Sequence, residues 1–143
     1  MPLTAHEIRV RRRARARALQ ALYAWDLVPG AGLVRVSERL FSDLAIGPDE
    51  RSIAEPLIAS AAASIDEIDR DLAAVTMNWR LERLSAIDRS VLRLAAAELR
   101  IGSTPPVTVI KEAIHLAERF GTDDSARFVN GVLDALARRL GRI

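Results

Sequence analysis

The sequence predicts an all-α fold of about seven helices packed as one compact bundle. Three observations carry that prediction. The hydrophobic half of the 143 residues leans on Ala and Leu, with only 4% aromatic residues, and Ala and Leu are strong helix formers. β-branched runs, the mark of strands, are sparse. Gly, Pro, Ser and Asp recur at intervals that suit helix–helix connections. The length fits a single domain, residues 1–143, with 1–17 forming a basic arm and the start of the first helix.

Thr4-Ala5-His6-Glu7 has capping-box spacing, so a first helix starts there and runs to about Leu27, stopped by Pro29-Gly30. At 100° per residue, Ala14, Ala18, Ala21, Leu22 and Trp25 share one face. Arg9, Arg12, Arg13, Arg17, Gln20 and Tyr23 lie broadly opposite. Arg11 and Arg15 fall near the apolar stripe, and the expectation is that the first turns overhang the core and leave both in water. A second helix spans about Leu33 to Leu44, before Gly47-Pro48. A third spans about Asp49 to Ser64, with Pro56 expected to kink or shift it. A fourth covers about Ile65 to Val75.

Trp79, Leu81 and Leu84 form an apolar connection. Ser85-Ala86-Ile87-Asp88 reads as a second N-terminal cap. The helix that follows, to about Ile101, is apolar over a wide arc, which predicts a central position. Gly102 to Pro105 breaks it. A sixth helix runs from about Pro106 to Phe120, with Gly121 as its C′ residue. Asp123, Asp124 or Ser125 caps a seventh, carrying Phe128, Val129, Val132, Leu133 and Leu136 and ended by Gly141.

Several functional classes are disfavoured by what the sequence lacks. With no cysteine, there is no disulfide framework, thiolate metal site or cysteine nucleophile. His6 and His115 are the only histidines, and neither has a partner at metal-binding spacing. No phosphate-binding loop or nucleophile elbow is present. Asp66, Glu67, Asp69 and Asp71 alternate around a helix and read as a solvated face. The sequence thus predicts no enzyme, no metal and no cofactor. No apolar run approaches the ~20 residues of a membrane span. The basic start leads into helix rather than into a signal-peptide core, so a cytoplasmic location is expected.

Charge is unevenly spread. Residues 1–25 hold six Arg and one Glu, whereas the whole chain carries only +2. Arg9, Arg11, Arg12, Arg13, Arg15 and Arg17 crowd like charges that a polyanion would relieve, with counterion release favouring binding at low salt. Guanidinium groups fork onto phosphates and stack on bases. A merely solvated amphipathic helix is the plain alternative. A membrane surface ranks lower, because the apolar side is Ala-rich and committed to a core.

Three stretches together resemble the NusB family. They are RRRARARALQALYAWDL (Arg11 to Leu27), WRLERLSAIDRSVLRLAAAEL (Trp79 to Leu99) and PPVTVIKEAIHLAERFGTDDSARFVNGVLD (Pro105 to Asp134). They occur in the family's order and cover about half of the chain. The resemblance implies two small helical bundles packed together. It implies binding to the boxA element of nascent RNA with NusE, a small-subunit ribosomal protein, as partner. The pair would act on transcribing RNA polymerase indirectly and help it read through terminators, notably in ribosomal RNA operons. No covalent chemistry is implied.

By matching position, the RNA-binding residues are Arg11, Arg12, Arg13 and Arg15, with Gln20 and Tyr23 as weaker candidates. Asp124 and Phe128 would lie beside the RNA. For Phe128 this overrides the spacing, which by itself favours a core position. Lys111 stands where the family usually has Asn, and adds positive charge near the last motif. NusE is expected around the fifth helix, at Glu82, Arg83, Arg93 and Glu98. Asp88 and Arg89 read as a cap and its ion partner. Ala97 replaces a common aromatic, which puts partner affinity in question if that aromatic meets the partner. Alternatives are the NusB-like module of an rRNA methyltransferase, for which this sequence lacks a Gly-rich cofactor loop, a ribosome-assembly interaction protein, and a homodimer whose Arg run is merely solvated.

Overall fold

The computed structural model describes residues 2–76 and 80–143. Trp79, placed by its sequence in an apolar connection, lies outside them. Among the described residues there are seven α-helices and one 3₁₀ turn: α1 (Ala5–Asp26), α2 (Leu33–Asp43), α3 (Pro48–Ala63), α4 (Ile65–Val75), the turn Leu81–Arg83, α5 (Ala86–Ile101), α6 (Pro106–Phe120) and α7 (Ser125–Arg139).

Local chemistry explains most boundaries. Thr4 Oγ1 accepts from the Glu7 backbone N–H at 3.1 Å, and Ser85 Oγ accepts from that of Asp88 at 3.1 Å, each satisfying a donor the helix leaves free. Gly102 ends α5 at φ 78°, in the left-handed region that favours glycine. α3 runs as one helix through Pro56. Proline removes the donor for the Ser52 carbonyl, and both residues are exposed, so water can serve it.

At the α6–α7 corner one expectation is corrected and another refined. Gly121 is the C-cap of α6 rather than its C′ residue, with extended backbone at φ −95° and ψ −162°. What selects glycine is space: a Cβ there would lie 2.4 Å from Ser125 Oγ and 2.8 Å from the Ala117 carbonyl oxygen. Asp124 occupies the N-cap of α7 without a side-chain capping bond. Instead Ser125 Oγ accepts the Thr122 backbone N–H at 3.0 Å.

Helices α1, α2 and α3 pack on one another, and α4, α6 and α7 pack around α5, which also meets α1 and α3. These are two small bundles joined through one continuous apolar core. Helix α5 is central, as predicted: every residue from Ser90 to Leu99 is buried. Each buried Leu or Ile contributes roughly 1.5–3 kcal/mol by leaving water. Ala97 is fully buried, so this position faces the interior and cannot present a side chain to a partner.

Candidate nucleic-acid interface

The arginines of α1 fan out over three neighbouring helices, and carboxylates hold three of them. Arg12 reaches α6, where its Nε and Nη2 donate to the Glu112 carboxylate at 3.2–3.3 Å. Arg13 reaches α3, with Nε 3.1 Å from Glu50 Oε1. Arg15 reaches α5, with Nε and Nη2 donating to Glu98 at 2.6 and 3.0 Å. Arg9 is exposed and Arg11 half-buried.

Arg15 corrects the expectation that it sits in water. It is 8% exposed and Glu98 6%, so the pair is an interior tie. Burial works against the Arg15 charge, but the hydrogen bonds and charge of Glu98 outweigh it and hold the guanidinium above its ordinary range. The apolar-side position of Arg15 was legible, but its partner lies 83 residues away.

Arg9, Arg12 and Arg13 line one groove with His115 and Arg119 of α6, and Glu112 lies in its wall. A neighbouring groove takes Arg11 and Arg12 beside Leu3, Ile8, Ser103 and Thr104. Sequence reasoning missed Glu112, His115 and Arg119. Their signal was present, since 112, 115 and 119 follow helical spacing along one face. Arg119 also lies over the Phe120 ring, its Cζ 4.8 Å from the centroid.

The other candidates line neither groove. Gln20 and Tyr23 are half-buried further along α1, and Gln20 Oε1 accepts from Arg17 Nη1 at 3.2 Å. Lys111 is exposed on α6 and Asp124 is exposed at the start of α7. Phe128 is partly buried against the core, where its spacing placed it, and only its remaining ring surface can meet a base.

The proposed partner surface divides in two. Glu82 and Arg83 are exposed around the 3₁₀ turn. Arg93 and Glu98 are buried, which corrects their assignment to an outer surface. Arg93 donates to Asp69 at 2.9 Å and to Asp26 at 2.8 Å, and its Cζ lies 5.2 Å from the Trp25 ring centroid. Burial opposes its charge too, and Asp69 and Asp26 outweigh it.

Arg89 pairs with Asp26, not with Asp88, and its Nη1 also donates to the carbonyls of Leu81 and Leu84. Its hydrogen bond is the largest influence holding the Asp26 carboxyl below its ordinary range. The acidic cluster is likewise more than a solvated face. Asp69 holds Arg93, and Asp71 holds Arg100 and Arg139 at 3.3 Å. These pairs tie α4 to α5 and α7. Among the described residues, no helix is long and apolar enough to cross a membrane.

Comparison with known proteins agrees with this architecture. The family described as the NusB family matches residues 12–138. A transcription antitermination protein NusB of Anaeromyxobacter dehalogenans is 43% identical over 133 residues, covering 91% of this chain and 92% of the relative. A solved structure of T. maritima NusB superposes with a TM-score of 0.82 at 34% identity, covering 90% of each chain. A structure of the antitermination factors NusB and NusE in complex with dsRNA superposes with a TM-score of 0.82 at 30% identity, covering 92% of this chain and 98% of that one.

Proposed function

The chain belongs to the NusB family, and from that premise we propose that it is a transcription antitermination factor that binds RNA together with NusE. The observation that carries the reading is the groove between α1 and α6, where arginines from two helices converge. Such a groove tracks a phosphate backbone by charge and leaves sequence to groups that meet unpaired bases. The boxA element is the target the family resemblance implies. The protein then acts in the cytoplasm as one RNA-binding unit without covalent chemistry, and it reaches RNA polymerase through the assembly rather than directly.

Within this reading Arg11, Arg12 and Arg13 meet phosphates, joined by Arg9 and Arg119 from the groove. Arg15 holds α1 on α5 and acts from beneath. Lys111 adds charge on α6. Gln20, Tyr23, Asp124 and the open part of Phe128 are the groups available to bases. Glu82 and Arg83 are the exposed residues offered to NusE; Arg93 is linked to that region from inside through Asp26 and Arg89, whereas Glu98 serves the arm by holding Arg15.

Titrating a short boxA-containing RNA at several salt concentrations tests the assignment. Arg12→Ala and Arg13→Ala should each weaken binding and reduce the slope of log K against log salt by about 0.7 for a single strand. Unchanged affinity and slope in both variants would remove the groove from the interface.

A further inference from the structure

The carboxylates beside the arm invite two opposite readings. Glu112 and Glu50 could compete with phosphate for Arg12 and Arg13, or they could aim those arginines at it. Geometry separates the two. The Arg12 and Arg13 side chains are 50% and 56% exposed, whereas Glu112 and Glu50 are each 14% exposed. The carboxylates are therefore the fixed, covered partners and the guanidinium groups the open ones.

A guanidinium carries five N–H donors on two usable edges. Glu112 takes the side edge of Arg12, Nε and Nη2. Glu50 Oε1 lies 3.1 Å from Nε of Arg13, an ion pair on the same side edge that, among the described residues, lacks the directed hydrogen bonds of the Arg12 pair. Among the described residues, no hydrogen bond occupies Nη1 of Arg12 or either Nη of Arg13. The end edge, Nη1 with the second hydrogen of Nη2, is the fork that matches a phosphate. Arg15 shows the same side-edge grip by Glu98 in a buried setting.

We propose that Glu112 and Glu50 are positioning residues, which grip the side edges of Arg12 and Arg13 and leave each end fork set for an RNA phosphate. An arginine held in one geometry loses less side-chain freedom when it binds. The two grips come from different helices, α6 and α3, so they space the two forks as well as aim them. This rests on the RNA-binding reading above.

The sign of one substitution tests it. Glu112→Ala raises the net charge by one, so charge alone predicts tighter RNA binding. Positioning predicts the reverse, a loss of about three- to tenfold in affinity, as expected for releasing one rotamer-rich side chain. The probe is a short boxA-containing RNA at fixed salt. In an Arg12→Ala background the same Glu112→Ala change should cost nothing further, because no fork remains to aim. Glu50→Ala, alone and with Arg13→Ala, gives an independent cycle on another helix.

Equal or tighter binding by both glutamate variants would overturn the proposal, as would a loss that persists in the arginine-free backgrounds. The underlying function is read separately: if Arg12→Ala and Arg13→Ala bind as the wild type does, the RNA reading fails and the positioning reading with it. If those variants weaken binding and the glutamate variants do not, positioning alone fails.

Discussion

Arg15 and Glu98 are charged groups placed where the packing of α1 on α5 excludes water. A buried pair of this kind gains little over a well-packed apolar substitute, because desolvation consumes most of the attraction. Breaking it is costly, since one charge stays buried alone. Glu98→Ala should therefore destabilise the protein by about 3–5 kcal/mol, measured by urea unfolding. Replacing the pair together, as Arg15→Met with Glu98→Leu, should restore most of that loss. A mild effect of Glu98→Ala would mean that the guanidinium escapes to solvent. Sequence periodicity placed Arg15 at the edge of the apolar stripe, yet it could not supply a carboxylate from another helix. The same gap hid Glu112 and Glu50, and it made Arg93 and Glu98 look like surface residues. Ion-pair partners are long-range choices of the fold, whereas helical faces are local.

Helix limits were the most legible feature, because caps and breakers act within a few residues. Thr4, Ser85, Gly102 and Pro106 mark their boundaries by local chemistry. The α6–α7 corner was read less well, since Gly121 is required by the Ser125 side chain four residues on and not by its own backbone angles. Gly121→Ala should force that corner apart, at a cost of about 1–3 kcal/mol as for other overpacked sites, read as a lowered thermal midpoint. An unchanged midpoint would show that Ser125 can turn away freely. Arg89 clasps the end of α1 to the 3₁₀ turn and α5 through Asp26 and two carbonyls. The folded-state Asp26 carboxyl is held below its ordinary range, first by Arg89. Its contribution to stability is therefore complete above that ordinary range and fades as pH falls through the depressed one. Asp26→Asn should be less stable than the wild type at neutral pH and should lose less stability on acidification. Parallel pH profiles would argue that the clasp is not charge-dependent.

At the scale of the molecule, the seven helices among the described residues make two bundles that share α5, and the arm of α1 reaches three of those helices, α3, α5 and α6. The fold class, the helix order and the central place of α5 were all readable, because each follows from periodic apolar residues and local punctuation. The electrostatic picture was only half readable. The arginine cluster suggests a bare basic arm, but the fold places Glu50, Glu98 and Glu112 against three of its members. The arm is a set of aimed groups, and its open charge is smaller than the sequence count implies. Such a surface should discriminate among RNAs rather than attract any polyanion, since affinity is spent on geometry as well as on charge.

That claim is tested most directly by measuring binding of a boxA-containing RNA against a scrambled RNA of equal length, each with and without the cognate NusE. The account predicts selective binding of boxA RNA that strengthens when NusE is present. Equal affinity for both RNAs, unmoved by NusE, would contradict it.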